Sequence, residues 1–129
     1  MMVTLLVIFV VHFLADFVFQ SSKMATGKSK SLKWLSIHVL TYSLVSLITF
    51  LFLFINYGEL SFALCWWIIN VLLHFIVDFF TSKITSRFWE EKNMRFFFVM
   101  IGFDQLIHNM CLISTFFWLK DAVLLCGNA

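Results

Sequence analysis

The sequence predicts an all-α membrane protein with four transmembrane helices, which form two repeated helical hairpins in a single domain over residues 1–129. Composition is the first reason: 62% of the residues are hydrophobic and 12% are charged, whereas soluble domains average about 45–50% apolar and about 25% charged residues. The second reason is the presence of four apolar runs, each close to the roughly 20 residues that a spanning helix needs. The net charge of +2 is small and its carriers are localised, which argues against a nucleic-acid-binding protein.

The four predicted spans cover residues 3–19, 34–55, 60–81 and 96–119. Backbone polar groups must be paired within the segment in lipid, so runs this apolar are expected to be helices. The first span is the shortest, and it fits a locally thinned bilayer or an upright helix. We do not expect it to be a cleaved signal peptide, because no basic residues precede it and His12 and Asp16 interrupt its apolar run.

Basic residues predict the orientation of these spans. Eight of the nine lysines and arginines fall in the first and third connections: Lys23, Lys28, Lys30, Lys33, Lys83, Arg87, Lys92 and Arg95. The middle connection, around residues 56–59, has none. Cytoplasmic loops carry an excess of lysine and arginine. The sequence therefore predicts a multi-pass protein of the cell (inner) membrane, with both termini on the outer side and the lipid bilayer as its main partner.

An internal repeat places the same two polar residues in the first and third spans. His-Phe-Leu-Ala-Asp-Phe occupies residues 12–17, and His-Phe-Ile-Val-Asp-Phe occupies residues 74–79. A histidine and an aspartate four residues apart share one face of a helix. A charged group at the bilayer centre costs roughly 2.5–3.5 kcal/mol, so two such pairs indicate a function. Internal repeats in membrane proteins place binding sites where the repeats meet.

Further ionisable residues lie in the second and fourth spans. Together with the repeat they predict a cluster that faces the cytoplasm and consists of His12, Asp16, His38, His74, Asp78, Asp104 and His108. Most members fall in one layer near the cytoplasmic boundary. Asp104 and His108 fall deeper if the fourth helix begins at Phe96, at about 1.5 Å per residue.

Three kinds of chemistry explain such a cluster. Neutral imidazole and carboxylate groups suit zinc, manganese or iron, and each aspartate could instead only orient its histidine. Chains of aspartate and histidine also serve proton or ion paths. Buried pairs that merely hold helices together are the structural reading.

Neighbouring polar residues extend the predicted site. Four of them lie on the same helix faces or beside a cluster member and are expected to support the ligands: Gln20, Tyr42, Asn70 and Gln105. Lys23 continues the face of His12 and Asp16, and either Lys23 or the basic loop is expected to bind an anionic group. Cys65 and Cys126 fall near the predicted outer face, and the sequence leaves open whether they form a disulfide.

The order of these motifs resembles a known family. His12-Phe-Leu-Ala-Asp16, His38, His74-Phe-Ile-Val-Asp78 and Asp104-Gln-Leu-Ile-His108 are similar to the domain of unknown function 3307 family of small prokaryotic and phage integral membrane proteins. The similarity covers residues 5–115 and implies a shared fold and polar site, but no activity. A looser similarity connects the chain to membrane-bound metal-dependent hydrolases, although it lacks their Asp-x-Asp-His and His-Arg segments, which leaves hydrolysis an analogy.

The leading functional prediction is a cytoplasm-facing site for a divalent metal: zinc, manganese or iron. Whether the protein is an enzyme stays open. As an enzyme, it would be a hydrolase that acts on a lipid-linked or phosphorylated substrate through metal-activated water, with Asp16, Asp78 and Asp104 as catalytic residues. One alternative is a small proton or cation channel or transporter built as a homo-oligomer. The other is a non-catalytic membrane interaction protein with structural His–Asp pairs.

Overall fold

The computed structural model describes residues 1–125, which are helical almost throughout and contain no strand. Five α-helices and two π-helical segments follow in chain order: α1 (Met2–Phe13), a π-helical segment (Leu14–Val18), α2 (Ser22–Gly27), α3 (Leu32–Tyr57), α4 (Leu60–Glu90), α5 (Met94–Leu119) and a second π-helical segment (Lys120–Leu125). The prediction of an all-helical protein is confirmed for these residues.

Within residues 1–125, three helices, rather than the four predicted, are long and apolar enough to cross a membrane: Leu32–Tyr57, Leu60–Glu90 and Met94–Val123. The first apolar helix, Met2–Val18, is shorter. The local structure of the chain explains where this helix ends. The chain leaves the helix after Phe19, and Ser21 then starts α2 by accepting a hydrogen bond from the Met24 N–H at 3.3 Å.

The third connection is much shorter than the sequence predicted. Helix α4 continues to Glu90, so Lys83 and Arg87 lie on a helix and only residues 91–93 connect α4 to α5. Asn93 caps α5 by accepting a hydrogen bond from the Phe96 N–H at 3.4 Å. The backbone hydrogen bonds of a helix do not require apolar side chains, so α4 can continue beyond its apolar segment. Its charged last turns are compatible with a helix that emerges from lipid.

This extension removes the predicted depth mismatch of Asp104. Asp78 lies 12 residues before the end of α4 and Asp104 lies 10 residues after the start of α5. At about 1.5 Å per residue, the two carboxylates are therefore about 18 and 15 Å from the same turn. They share a layer because both helices continue past the predicted boundary.

The first and third connections lie at the same end of the molecule, which we call the basic end. Lys30, in the α2–α3 connection, pairs with Glu90 at the end of α4, with 3.4 Å between Nζ and Oε1. Gly27 allows this connection to pack closely: a Cβ added there would lie 2.7 Å from Cγ of Trp34. At the opposite end, Gly58 ends α3 in the left-handed region with φ of 73°, which glycine adopts without penalty.

Each long helix buries a single stripe of residues. On α4 the stripe recurs every four positions as Trp66, Asn70, His74, Asp78 and Ser82. Towards the end opposite the basic end, the stripes form an apolar core that consists of Ile8, Leu53, Phe62, Ala63, Trp66, Leu112, Phe116 and Leu119. Towards the basic end they carry histidines and aspartates instead. The remaining faces expose large apolar side chains such as Leu72, Ile76 and Phe80, as contact with a lipid bilayer requires.

Candidate metal centre

Asp16 enters the site on a π-helical segment. The Phe19 N–H donates to the Leu14 carbonyl, five residues earlier, at 2.9 Å. The Gln20 side-chain amide donates to the Asp16 carbonyl at 2.8 Å, so Gln20 supports the backbone that carries the carboxylate. Single π-helical turns inside helices are frequent at functional sites. Here the turn buries both Ala15 and Asp16 against the other helices.

One atom from each of four buried side chains converges on a point: Asp16, His38, His74 and Asp78. The His38 Nε2 atom lies 2.8 Å from Asp78 Oδ2 and 3.1 Å from Asp16 Oδ1. It also lies 3.1 Å from His74 Nε2. The His74 Nε2 atom lies 3.5 Å from Asp78 Oδ2 and 3.7 Å from Asp16 Oδ1. Ligands about 2.0 Å from a tetrahedral zinc ion are about 3.3 Å apart, which is the middle of this range.

Hydrogen bonding alone leaves this group poorly satisfied. His38 Nε2 faces two carboxylate oxygens and the Nε2 atom of His74, but a ring nitrogen carries at most one hydrogen. The Nδ1 atoms of His38 and His74 are buried and make no hydrogen bond. A cation bound between the two Nε2 atoms and the two carboxylates would instead use all four as ligands at once.

A second group shares Asp16 with the first and adds Asp104 and His108. His108 Nε2 lies 3.5 Å from Asp104 Oδ1 and 3.6 Å from Asp78 Oδ1. The hydroxyl of Thr81 donates to Asp104 Oδ1. The Gln105 amide donates to Asp16 Oδ2 and to Asp104 Oδ2, so Gln105 contacts two carboxylates of the cluster.

Lys28, like Thr81, contacts the cluster although the sequence analysis did not single it out. Its Nζ atom lies 3.0 and 3.1 Å from the two carboxylate oxygens of Asp78, and its side chain is 13% exposed. Four lysines occupy the first connection, and nothing in their spacing distinguishes Lys28. The residue before it, Gly27, packs closely against Trp34.

The residues around Lys28 keep its side chain protonated. Burial alone lowers the pKa of Lys28, but the negative charges of Asp78, Asp16 and Asp104 outweigh burial and raise the pKa above its ordinary value. A group whose pKa is raised by folding stabilises the fold at any pH below its ordinary pKa and loses that effect only above it. The ion pair with Asp78 therefore persists throughout the neutral range.

The site contains more negatively charged than positively charged side chains when its imidazoles are neutral. Three buried carboxylates (Asp16, Asp78 and Asp104) face one buried ammonium group, that of Lys28, which leaves a net charge of −2 when the imidazoles are neutral. A buried charge without a partner costs several kcal/mol, so the arrangement requires two further positive charges. One divalent cation supplies them, and so does the uptake of two protons by the histidines or aspartates.

His12 and Tyr42 lie beside these groups rather than in them. The His12 ring centre is 5.3 Å from that of His108 and 5.8 Å from that of His74, and neither of its buried ring nitrogens makes a hydrogen bond. His12 belongs to neither convergent group, and its role as a ligand stays a prediction. Tyr42 stacks on His74 with 3.8 Å between ring centres and 3° between planes, which fixes the orientation of that imidazole.

Two predicted residues make no hydrogen bond or ion pair with the cluster. The Asn70 amide donates to the Trp66 carbonyl and to the Thr115 hydroxyl, both at 2.8 Å, so it joins α4 to α5 one turn away from His74. Lys23 is exposed on α2. Lys28 instead reaches Asp78 from the connection that follows α2.

A cavity of about 450 Å³ adjoins the cluster at the basic end. Asp16, Asp104, Gln105 and Lys28 form the wall that it shares with the cluster. Hydroxyl side chains from the α2–α3 connection and from α4 supply much of the remaining polar lining: Thr26, Ser29, Thr81, Ser82, Thr85 and Ser86. Phe17, Phe97 and Ile101 add an apolar side. This lining suits a ligand that has a polar, anionic part and an apolar part.

The cysteine pairing that the sequence left open is not resolved here. Cys65 is exposed near the start of α4. Cys126 lies outside the described residues.

Comparison with known proteins gives a family and no function. The family model described as "Protein of unknown function (DUF3307)" matches residues 3–127, which confirms the resemblance drawn from the His and Asp motifs. No curated protein and no solved structure matches the chain. Its function must therefore be argued from the geometry of the site.

Proposed function

Since the chain belongs to the DUF3307 family, whose description assigns no activity, we propose from the site itself that this is an integral membrane protein that binds a divalent metal ion. The ligands are Asp16, His38, His74 and Asp78. The observation that carries the proposal is their convergence: two imidazole nitrogens and two carboxylate oxygens lie 2.8–3.7 Å apart in the five measured pairs. The net charge of −2 that the cluster has with neutral histidines supports the same conclusion.

The ligand set narrows the choice of metal. Two imidazoles and two carboxylates suit zinc, manganese and iron, whereas magnesium and calcium favour sites made only of oxygen ligands. Tyr42 and Gln20 support the ligands, since one stacks on His74 and the other binds the Asp16 carbonyl.

The adjoining cavity suggests a hydrolase that acts on a lipid-linked or phosphorylated substrate. A bound divalent ion would polarise a phosphoryl or carbonyl group and activate water. Lys28, rather than the exposed Lys23, is placed to bind the anionic group, because its ammonium lies in the cavity wall. Asp104, in the same wall, is placed to accept a proton from water. Phe17 and Ile101 offer an apolar surface to a lipid chain.

We further propose that the basic end faces the cytoplasm and that both termini lie on the outer side of the cell membrane. The shared end of the two basic connections supports this orientation. The short helix Met2–Val18 would then cross with its π-helical end in the cytoplasmic leaflet, as the fourth helix of the bundle. A cytoplasmic reporter fused after Gly27 is expected to be active, and one fused at Ala129 is expected to be inactive. The reverse pattern would refute the orientation.

The distribution of buried polar residues fits a pocket at one end of the bundle better than a pore that crosses the membrane. A proton or cation path needs polar groups across the full membrane thickness, whereas Phe62, Trp66 and Phe116 are buried together in the apolar core beyond the cluster. Liposomes with the reconstituted protein are therefore expected to show no more proton or cation flux than empty ones. Flux that Asp104→Asn abolishes would instead support the oligomeric channel.

Metal analysis of the purified protein tests the proposal directly. Protein extracted in mild detergent without chelator is expected to hold stoichiometric metal, which His74→Ala should remove while helical content and monodispersity are retained. Asn70→Ala is the matched control, because Asn70 lies one turn away on the same buried stripe but bonds only to α5 and its own helix. A folded wild-type protein without metal would refute the proposal and favour structural His–Asp pairs.

A further inference from the structure

We propose that the protein binds two metal ions, with the second ion held by Asp16, Asp104 and His108 and with the Asp16 carboxylate as the bridge between the sites. This inference rests on the proposed function, because it takes Asp16, His38, His74 and Asp78 as the first site. It adds a second site to the first, and the two can fail independently.

The two carboxylate oxygens of Asp16 face different partners. Oδ1 lies 3.1 Å from His38 Nε2 and 3.7 Å from His74 Nε2, in the first group. Oδ2 accepts a hydrogen bond from the Gln105 amide, which lies 3.1 Å from Asp104 Oδ2 as well. Oδ1 thus faces the first group, whereas Oδ2 is linked through the Gln105 amide to Asp104 of the second group, so the Asp16 carboxylate lies between the two groups, as a bridging ligand must.

Asp78 repeats this division on the other side of the cluster. Its Oδ2 atom lies 2.8 Å from His38 Nε2, in the first group. Its Oδ1 atom lies 3.6 Å from His108 Nε2, in the second group. Asp16 and Asp78, the two aspartates of the sequence repeat, therefore each have one carboxylate oxygen on the side of the first group and the other on the side of the second. A single mononuclear site would not require this arrangement.

The Nε2 atom of His108 has no hydrogen-bond partner. It therefore gives evidence for a bound ion at the second group that is independent of the carboxylates there. His108 Nε2 is buried and makes no hydrogen bond, and the residue is only 3% exposed. Asp104 and Asp78 lie on either side of this nitrogen, at 3.5 and 3.6 Å. These separations exceed hydrogen-bond length but match the spacing of two ligands on one metal ion.

The second site differs from the first in ligand chemistry. It offers carboxylate oxygens and one imidazole, which favours manganese or iron(II) over softer ions. It also lies beside Lys28, whose Nζ is 3.0 Å from the Asp78 Oδ1 atom that faces His108. A second divalent ion would raise the net charge of the cluster from zero to +2 while Lys28 stays in place. The Lys28 ammonium therefore opposes the second ion and sets its affinity.

Manganese titration of the metal-free, full-length protein tests the proposal without any substitution. We expect two equivalents of Mn²⁺ to bind. The electron paramagnetic resonance spectrum should change from six lines at one equivalent to a spectrum of more, closely spaced lines at two, because the Asp16 bridge couples the two spins. Saturation at one equivalent, or two ions without spin coupling, would overturn the bridged pair and leave the proposed function intact. Absence of any Mn²⁺ binding would overturn the two-ion proposal, and the proposed function would fall with it only if zinc and iron(II) also failed to bind.

Asp104→Asn tests the ligands of the second site. It should remove the second equivalent and leave one Mn²⁺ with a six-line spectrum, since Asp104 is not in the first group. Asp121→Asn is the control, because Asp121 is an exposed aspartate beyond the end of α5 and both equivalents should remain. Retention of two coupled ions in Asp104→Asn would overturn the assignment.

Lys28→Met provides a gain of binding that misfolding cannot imitate. Removal of a positive charge next to the second site should tighten the second Mn²⁺ at least tenfold, because a unit charge at this distance acts strongly on a divalent ion. Unchanged or weaker binding of the second ion would show that Lys28 does not face a cation site and would overturn the proposal.

Discussion

The same inward-facing stripes are apolar at one end of the bundle and ionic at the other. On α5, Phe116 lies three turns from Asp104, and on α4, Trp66 lies three turns from Asp78. All four residues are buried. At the apolar end, the rings of Tyr57, Phe62 and Phe116 meet edge to face with 5.4–5.9 Å between centres. At the basic end, equally buried positions hold histidines, aspartates and Lys28.

This difference shows that burial in a membrane protein does not require an apolar side chain. Lipid is as apolar as leucine, so helices in a membrane associate through close packing and polar contacts rather than through the hydrophobic effect. The apolar core uses packing, whereas the ionic cluster depends on every charge having a partner. Loss of one side chain should therefore have different consequences at the two ends.

The largest effect is expected from Asp78→Asn, which leaves the Lys28 ammonium buried without its partner. Breaking a buried pair in this way costs about 3–5 kcal/mol, and the variant should also lose metal. The double variant Lys28→Met, Asp78→Asn should recover most of the stability and none of the metal. Thermal unfolding in detergent and metal analysis measure the two losses.

The exposed ion pair between Lys30 and Glu90 is the control for the variants of the Lys28–Asp78 pair. Its atoms are 3.4 Å apart, but both side chains are more than half exposed, at 68% and 61%. Lys30→Met should change the stability by less than about 1 kcal/mol. Equal losses in Lys30→Met and Asp78→Asn would mean that the cluster is not a charge-balanced site.

Phe116→Ala tests the apolar end alone. It should leave a cavity between α4, α5 and Tyr57 and lower the free energy of unfolding by about 3 kcal/mol, while the metal content stays at the wild-type level. Phe117→Ala is the matched control, since that neighbouring ring is 36% exposed and its loss leaves no internal cavity. Metal loss in Phe116→Ala would show that the two ends are not independent.

A smaller effect of the opposite sign is expected from His12→Phe. His12 is buried with both ring nitrogens unpaired, and a buried polar group without a partner costs about 1–3 kcal/mol. Phenylalanine keeps the ring and removes the polar atoms, so the thermal midpoint should rise and the metal content should not change. Loss of one metal equivalent would instead make His12 a ligand, as the sequence predicted.

The smallest effect is expected from Lys23→Gln. Lys23 is exposed on α2, and substitutions of this kind change stability by less than about 0.5 kcal/mol. Metal content and manganese affinity should be the same as in the wild-type protein. A change in either would restore Lys23 to the site, where the sequence analysis placed it.

Local patterns were sufficient to predict the helical class and to place polar residues on shared helix faces. The i,i+4 spacing of His12 with Asp16 and of His74 with Asp78 fixes a shared helix face, whatever the helix packs against. The lengths of the helices could not be predicted in the same way. Hydropathy reports where a helix leaves lipid, whereas α4 ends where its backbone pairing ends, at Glu90. The internal repeat and the four-helix bundle remain predictions.

The sequence by itself determined that polar groups would be buried within apolar helices and which side chains would carry them. Only the tertiary structure decided which of those groups meet. It aligned Asp104 with Asp78 through the short α4–α5 turn. It brought Lys28, rather than Lys23, to Asp78 and left His12 outside both convergent groups. Periodicity is a property of neighbouring residues along one helix, whereas these contacts depend on helix register and on the packing of Gly27 against Trp34.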